Sequence, residues 1–182
     1  MKKVLVPLAP GFEEIETVTI VDILRRAGAR VTLAGTEEGV LQGSRGINLV
    51  ADSRLNEVDP EEFDLVVLPG GQPGTSNLQK DERVAEILKA MARSGKTIAA
   101  ICAAPLVLQS AGLLKDKTTT SHPSIKDELK EIQYSEDRVA VDGNLVTSRG
   151  PGTAMEFAMK LVEILFDKDR METVNKGVMA KL

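Results

Sequence analysis

With a single cysteine among its 182 residues, the chain forms no disulfide within itself. It also lacks any block of positive charge: 23 Lys and Arg are outnumbered by 27 Asp and Glu, a net charge of −4. Nucleic acid and anionic membrane surfaces both need clustered cations, so neither is the main partner that this composition fits. No apolar run approaches the length of a membrane span. The apolar opening VLVPLAP is shorter than the core of a signal peptide and runs straight into EEIE. The expectation is a soluble, cytoplasmic protein. Internal repeats, low-complexity segments and linkers are missing as well. A 42% hydrophobic content fills one sizeable core, so residues 1–182 are expected to form a single domain with a small molecule or another protein as partner.

What is there is an alternation of two periodicities. KKVLVPLA is a short β-branched run, EEIETVTIVDILRRAG is helical with Gly28 as its stop, and RVTLAG is a second strand. DLVVLPGG is nearly continuous apolar sequence, as in a parallel strand covered on both faces. A loop, the helix DERVAEILKAMARSG, the strand TIAAI and the helix APLVLQSAGLL follow. RVAVDGNLVTSRG alternates around Asp142-Gly143-Asn144 and reads as a hairpin. PGTAMEFAMKLVEILF starts with Pro151 near its first turn and runs amphipathic. The pattern predicts an α/β fold, a three-layer α/β/α sandwich with a mostly parallel sheet and an added β-hairpin. Ligand sites in such sheets lie at the carboxyl ends of the strands, so the loops APGFEEIE, LPGGQPG and AICAAP are expected to converge.

Two readings stand for Cys102. In an Ala/Ile/Leu run it is a small, inert core residue. At an abrupt turn from strand to helix, with Ala100 and Ala104 as small neighbours, it occupies the position of a nucleophile, and a helix N-terminus there favours its thiolate. Glu16 bears on the choice. Ile20, Ile23 and Ala27 share its helix face, so the carboxyl sits in an apolar stripe. Buried without a cation it stays protonated and can donate to a thiolate; the other reading is a carboxyl at a fraying end that reaches solvent. Glu13 and Glu14 read as favourable first-turn charges. His122, the sole histidine, lies before Pro123 in a loop, either as a surface residue or as a base or orienting partner for Cys102. LPGGQPG lacks the ending of a phosphate loop, and its glycines suit close backbone approach to a ligand with N–H groups free for an oxyanion. SRGPGT is the nearest thing to an anion cradle and reads first as a structural turn.

GFEEIE, VVLPGG, AAICAAP, TSHPSIKDE and VTSRGPGT, in this order and spacing, resemble the ThiJ/PfpI superfamily, and within it the subgroup of the Parkinson's disease-associated deglycase and the bacterial YajL proteins. The resemblance implies a flavodoxin-like fold, a homodimer and a reactive, oxidisable Cys102. It implies Glu16 as the protonated carboxyl beside that cysteine and His122 as the neighbouring histidine. Gly70 and Gly71 match pocket glycines, with Gly71 and Ala103 supplying backbone N–H groups, and Arg45 matches an arginine that reaches the pocket from the partner chain. The peptidase branch of the superfamily carries histidine directly after its cysteine; here Ala103 stands there, which makes a Cys-His-acid peptidase the weaker reading.

The activity this implies is a glutathione-independent glyoxalase or protein deglycase. Its substrates are small 2-oxoaldehydes such as methylglyoxal, or early glycated protein adducts, with no metal or cofactor. The alternative is a non-enzymatic redox sensor or holdase chaperone using the same thiol. Two further expectations concern physical properties. A protonated Glu16 sets the Cys102 pKa below that of free cysteine, and a second apolar stripe on the first helix, Val18 and Val21, is covered by a dimer.

Overall fold

The computed structural model describes residues 1–182. Its strands are β1 (Lys3–Leu8), β2 (Arg30–Gly35), β3 (Val40–Gln42), β4 (Asn48–Val50), β5 (Ser53–Arg54), β6 (Leu65–Leu68), β7 (Thr97–Ile101), β8 (Thr118–Thr119), β9 (Gln133–Tyr134), β10 (Val139–Asp142) and β11 (Leu145–Ser148). The helices are α1 (Glu14–Arg26), α2 (Gly74–Lys80), α3 (Glu82–Arg93), α4 (Pro105–Ser110), α5 (Ala154–Leu165) and α6 (Lys168–Val178).

One seven-stranded sheet runs β10-β11-β7-β6-β1-β2-β5. Every pairing is parallel except β10 with β11, which is the hairpin read from Asp142-Gly143-Asn144. The strands alternate faces as a pleat requires. Leu65 and Val67 of β6, with Ala99 and Ile101 of β7, enter one core with α1, α5 and α6; Val66, Leu68, Ile98 and Ala100 enter the other with α3 and α4. Both faces are thus covered, which is why β6 reads as an unbroken apolar run. Fully burying a Leu or Ile is worth about 1.5–3 kcal/mol, so the large aliphatic side chains of the two cores are a main favourable contribution to the fold. The three layers and the mostly parallel sheet are those expected of a flavodoxin-like α/β fold.

β1 pairs with β2 on one side and β6 on the other, so the strand order reverses between β1 and β6. The loops leaving β1, β6 and β7 open at this switch point. Beside them, β3 and β4 form a small antiparallel ribbon, tied to the first loop by Gly11 N–H to Gln42 O at 2.7 Å and Ser44 N–H to Phe12 O at 2.8 Å.

Three sequence expectations change. The helix after Cys102 is shorter than APLVLQSAGLL and begins only at Pro105. The loop after β6 contains α2, and α6 follows α5, neither of which the periodicity reveals. Val21 is 7% exposed and belongs to the α1-side core, whereas Val18 is 49% exposed, so the two do not form one external stripe.

Candidate active site

β7 ends at Ile101, and the next residue turns with a φ of +64°. That residue is Cys102. A left-handed conformation costs a residue bearing a Cβ about 1 kcal/mol or more, and it persists only where the surroundings fix it. Here both sides of the backbone are held: Cys102 N–H donates to Ser148 O at 3.0 Å, and Cys102 O accepts from His122 N–H at 2.9 Å. Ala100 and Ala104, the small neighbours on either side, are fully buried. The thiol is half-buried. α4 is too short and starts too late to act on it as a helix end; the backbone N–H groups of Ala103 and Gly71 act on the sulfur individually.

Glu16, in the first turn of α1, has no exposed surface. Its Oε2 accepts the Gly70 N–H at 2.7 Å, while Oε1 is buried without a well-formed hydrogen bond, the Cys102 thiol being the polar group beside it. Burial is the main reason its pKa rises to about 7; the Glu13 charge adds to the rise, and the Gly70 N–H and the thiol oppose it. Gly70 makes the meeting possible. A Cβ there would lie 2.7 Å from Cys102 Cβ and 2.9 Å from Glu16 Oε2. Gly71 has φ +94°, and a Cβ on it would lie 2.4 Å from Glu13 N and 2.6 Å from Gly11 O.

The thiol does not follow the expectation of a lowered pKa. Burial, then the charge of an ionised Glu16 and its hydrogen bond, push Cys102 up to about 12, against the opposing N–H groups of Ala103 and Gly71. Two buried acids side by side do not both ionise readily. The thiolate is therefore favoured only in the arrangement where Glu16 carries the proton.

His122 is joined to Cys102 through the backbone. Its half-buried ring points Nδ1 at Ser124, accepting Ser124 N–H at 3.2 Å with Ser124 Oγ at 2.7 Å. An accepting Nδ1 leaves the proton on Nε2. The ring makes no hydrogen bond to the Cys102 sulfur. No group of three or more His, Cys, Asp or Glu side chains is arranged to hold a metal ion.

The DJ-1/PfpI family profile matches residues 2–164, a span containing every residue of this cluster. The chain belongs to the DJ-1/PfpI family. Protein dj-1beta of Drosophila melanogaster is 45% identical over 181 residues, covering 98% of this chain and 97% of that protein. Its crystal structure superposes with a TM-score of 0.95 at 44% identity, over 98% of this chain and 97% of that one. The oxidized DJ-1 of Toxoplasma gondii superposes equally well, at 0.95 and 40% identity, over 98% of each chain. A Caenorhabditis elegans relative named glutathione-independent glyoxalase DJR-1.2 is 37% identical over 178 residues, 96% of this chain and 95% of that protein.

Within this DJ-1/PfpI chain, Arg45 lies apart from the cluster. It is exposed on the turn between β3 and β4, and its guanidinium makes no hydrogen bond within the chain. What holds its turn is Glu14, which sequence reasoning took for a simple first-turn charge. The buried Glu14 carboxylate accepts from Arg45 N–H at 2.6 Å, Ile47 N–H at 3.3 Å and Ser44 Oγ at 3.2 Å. Burial alone would raise its pKa, but these bonds outweigh it and the net shift is downward. Glu13 likewise caps α1, its Oε2 accepting Glu16 N–H at 2.7 Å while its own N–H donates to Gly70 O at 2.9 Å. Ser148, whose carbonyl holds Cys102, was also missed; its only sequence signal was its place in SRGPGT.

Proposed function

We propose that the chain is a cysteine-dependent, glutathione-independent glyoxalase that acts on methylglyoxal and related small 2-oxoaldehydes, and on their early adducts with protein amines as a deglycase. The observation that carries this reading is the pairing of a thiol in a positive-φ turn with a buried carboxyl whose pKa is about 7. A group poised near the working pH serves as acid and base in turn.

In this mechanism Cys102 passes its proton to Glu16 and its sulfur attacks the aldehyde carbon. The developing oxyanion is met by the N–H groups of Gly71 and Ala103, each worth roughly 3 kcal/mol where comparable donors have been removed from enzymes. The oxyanion takes up a proton to give a hemithioacetal. Removal of the C1 proton and delivery of a proton to C2, through Glu16 with His122 Nε2 on the open side, moves one hydrogen between the two carbons. C1 is oxidised to a thioester and C2 is reduced to an alcohol, with no external electron acceptor. Water then releases lactate and the thiol. With an amine adduct, the amine departs as the leaving group.

A homodimer belongs to this reading. Ile15 and Val18 of α1, Val40 and Val50 of the β3–β4 ribbon, and Ile47 on the same turn as Arg45 are exposed apolar residues. A sensor reading uses the same groups: a sulfinate on Cys102 sets its oxygens against Gly71 N–H, Ala103 N–H and a protonated Glu16.

The deciding experiment incubates the purified protein with methylglyoxal in the absence of glutathione and follows lactate by proton NMR. Many turnovers per chain, abolished by Cys102→Ala, are expected. Stoichiometric consumption of peroxide without lactate would leave the sensor reading in place.

A further inference from the structure

The motif SRGPGT has adjacent N–H groups ahead of a helix, yet the chain itself already occupies them. Thr153 Oγ1 accepts Arg149 N–H at 3.2 Å and Gly150 N–H at 3.1 Å, and lies 2.7 Å from Ser148 Oγ. Ser148 Oγ donates its one proton to Arg138 O at 2.7 Å, so the Thr153 hydroxyl is the donor between the two. Gly150 O, also 3.0 Å from Thr153 Oγ1, is satisfied by Thr153 N–H at 2.8 Å. Both residues are buried. The bonds therefore run in one direction, from two backbone N–H groups through Thr153 and Ser148 to Arg138 O.

At its other end Ser148 touches the active site, because its carbonyl is the acceptor for Cys102 N–H. Gly150, which the same hydroxyl holds, lies beside His122: a Cβ built on it would be 3.5 Å from His122 Cδ2. One buried hydroxyl thus fixes the backbone on two sides of the reactive turn.

We propose that Thr153 is a positioning residue for Cys102. Acting through Ser148, its hydroxyl sets the carbonyl that holds Cys102 in its left-handed turn, and so aims the sulfur at Glu16 and the Ala103 N–H into the site. The catalytic part of this inference rests on the glyoxalase reading; the positioning part does not. Without the hydroxyl, two N–H groups and Ser148 Oγ lose their partner, the turn re-forms around other bonds, and a strained φ at Cys102 is the first conformation to relax.

Thr153→Val keeps shape and branching but removes the hydroxyl, and Thr153→Ser keeps the hydroxyl. Two quantities are measured well below each variant's melting transition: the pH profile of Cys102 alkylation by iodoacetamide, and kcat and KM for methylglyoxal. For Thr153→Val we expect a displaced alkylation profile and a kcat reduced by roughly tenfold to a hundredfold, with KM changed by less than about twofold. Thr153→Ser should restore both to within about twofold of the parent. A valine variant that melts earlier yet alkylates and turns over like the parent would overturn the proposal, as would a serine variant as impaired as valine. Absence of turnover in the parent would sink the glyoxalase reading and leave alkylation to decide the role of Thr153. Should Thr153→Val fail to fold, Ser148→Ala breaks the same relay one step nearer Cys102, and an unchanged alkylation profile there overturns the proposal.

Discussion

Glu16 and Cys102 meet across Gly70, with Gly70 N–H bound to the carboxyl and the space over its Cα filled by the cysteine Cβ. The two acids arrive from different elements, α1 after β1 and the turn after β7, so it is the sheet's switch point that brings them together. Buried beside the thiol, the Glu16 carboxyl keeps its proton to a higher pH than a free one, and that has a measurable consequence for stability.

Burial raises Glu16 from 4.5 to about 7. Between these values the folded chain binds a proton that the unfolded chain has lost, so stability falls as pH rises through this window and the penalty is complete above it. Such a shift corresponds to roughly 3 kcal/mol as an upper bound. Glu16→Gln accepts the Gly70 N–H without ionising. Relative to the parent it should gain stability steadily from pH 4.5 to 7, the ordinary and raised values of this carboxyl, with no gain at the acid end. Urea unfolding of both proteins across that range checks this; a difference independent of pH would contradict the buried, proton-holding carboxyl.

The two pocket glycines should fail in different ways. Alanine at Gly70 drives a methyl into Cys102 Cβ and Glu16 Oε2, moving the reacting groups themselves, so activity should drop at least about a hundredfold. Alanine at Gly71 meets backbone atoms of Glu13 and Gly11 in a φ of +94°, so it should cost about 2–4 kcal/mol of stability. Denaturant midpoints and kcat/KM for each variant separate the two effects. Comparable stability losses at both positions would mean that the loop yields as a unit.

How much of this could be read in advance depended on distance along the chain. Glu16 was legible because Ile20, Ile23 and Ala27 are helical neighbours that mark its face as buried. The turn at Cys102 was legible because Ala100 and Ala104 sit beside it. Glu14 was misread because its partners, Ser44, Arg45 and Ile47, lie some thirty residues away, where periodicity carries no information. α2 was hidden by Gly74, Thr75, Ser76 and Asn77, poor helix formers held by tertiary contact, and α6 because only Val174 in it is buried. The direction of the thiol's pKa was not legible because it is set first by burial of the sulfur and then by repulsion from Glu16, and α4 starts too late for a helix end to oppose them.

Glu14 has its own test. Its net lowered pKa means that its bonds to the turn favour the ionised form, so they add stability above about pH 4.5 that is lost as pH falls through the depressed folded value. Glu14→Ala should release the 43–47 turn, speeding amide hydrogen exchange at Arg45 and Ile47 by at least about tenfold while strands β1 and β6 stay protected. Unchanged exchange at those two amides would show that the β3–β4 ribbon holds the turn without Glu14.

Arg45 gives the sharpest test of the dimer, because its guanidinium has no hydrogen-bond partner in its own chain and the family resemblance implies that it reaches the neighbouring site. Arg45→Ala should dimerise, since the exposed apolar residues of α1 and the β3–β4 ribbon are untouched, yet show weakened turnover. Cys102→Ala should dimerise and be inert. Mixed after reversible dissociation, the two variants form heterodimers in which one site has lost both residues and the other has a native Cys102 faced by a native Arg45. A one-to-one mixture at exchange equilibrium then holds about a quarter of its sites in native form, so activity should rise above the mean of the two parents. An arginine acting within its own chain leaves every heterodimer site lacking one of the two residues, and activity stays at that mean. Sedimentation of the unmixed proteins as 19.6 kDa species would remove the dimer altogether, whereas dimers whose mixture shows no gain would keep the interface and take Arg45 out of the partner's site.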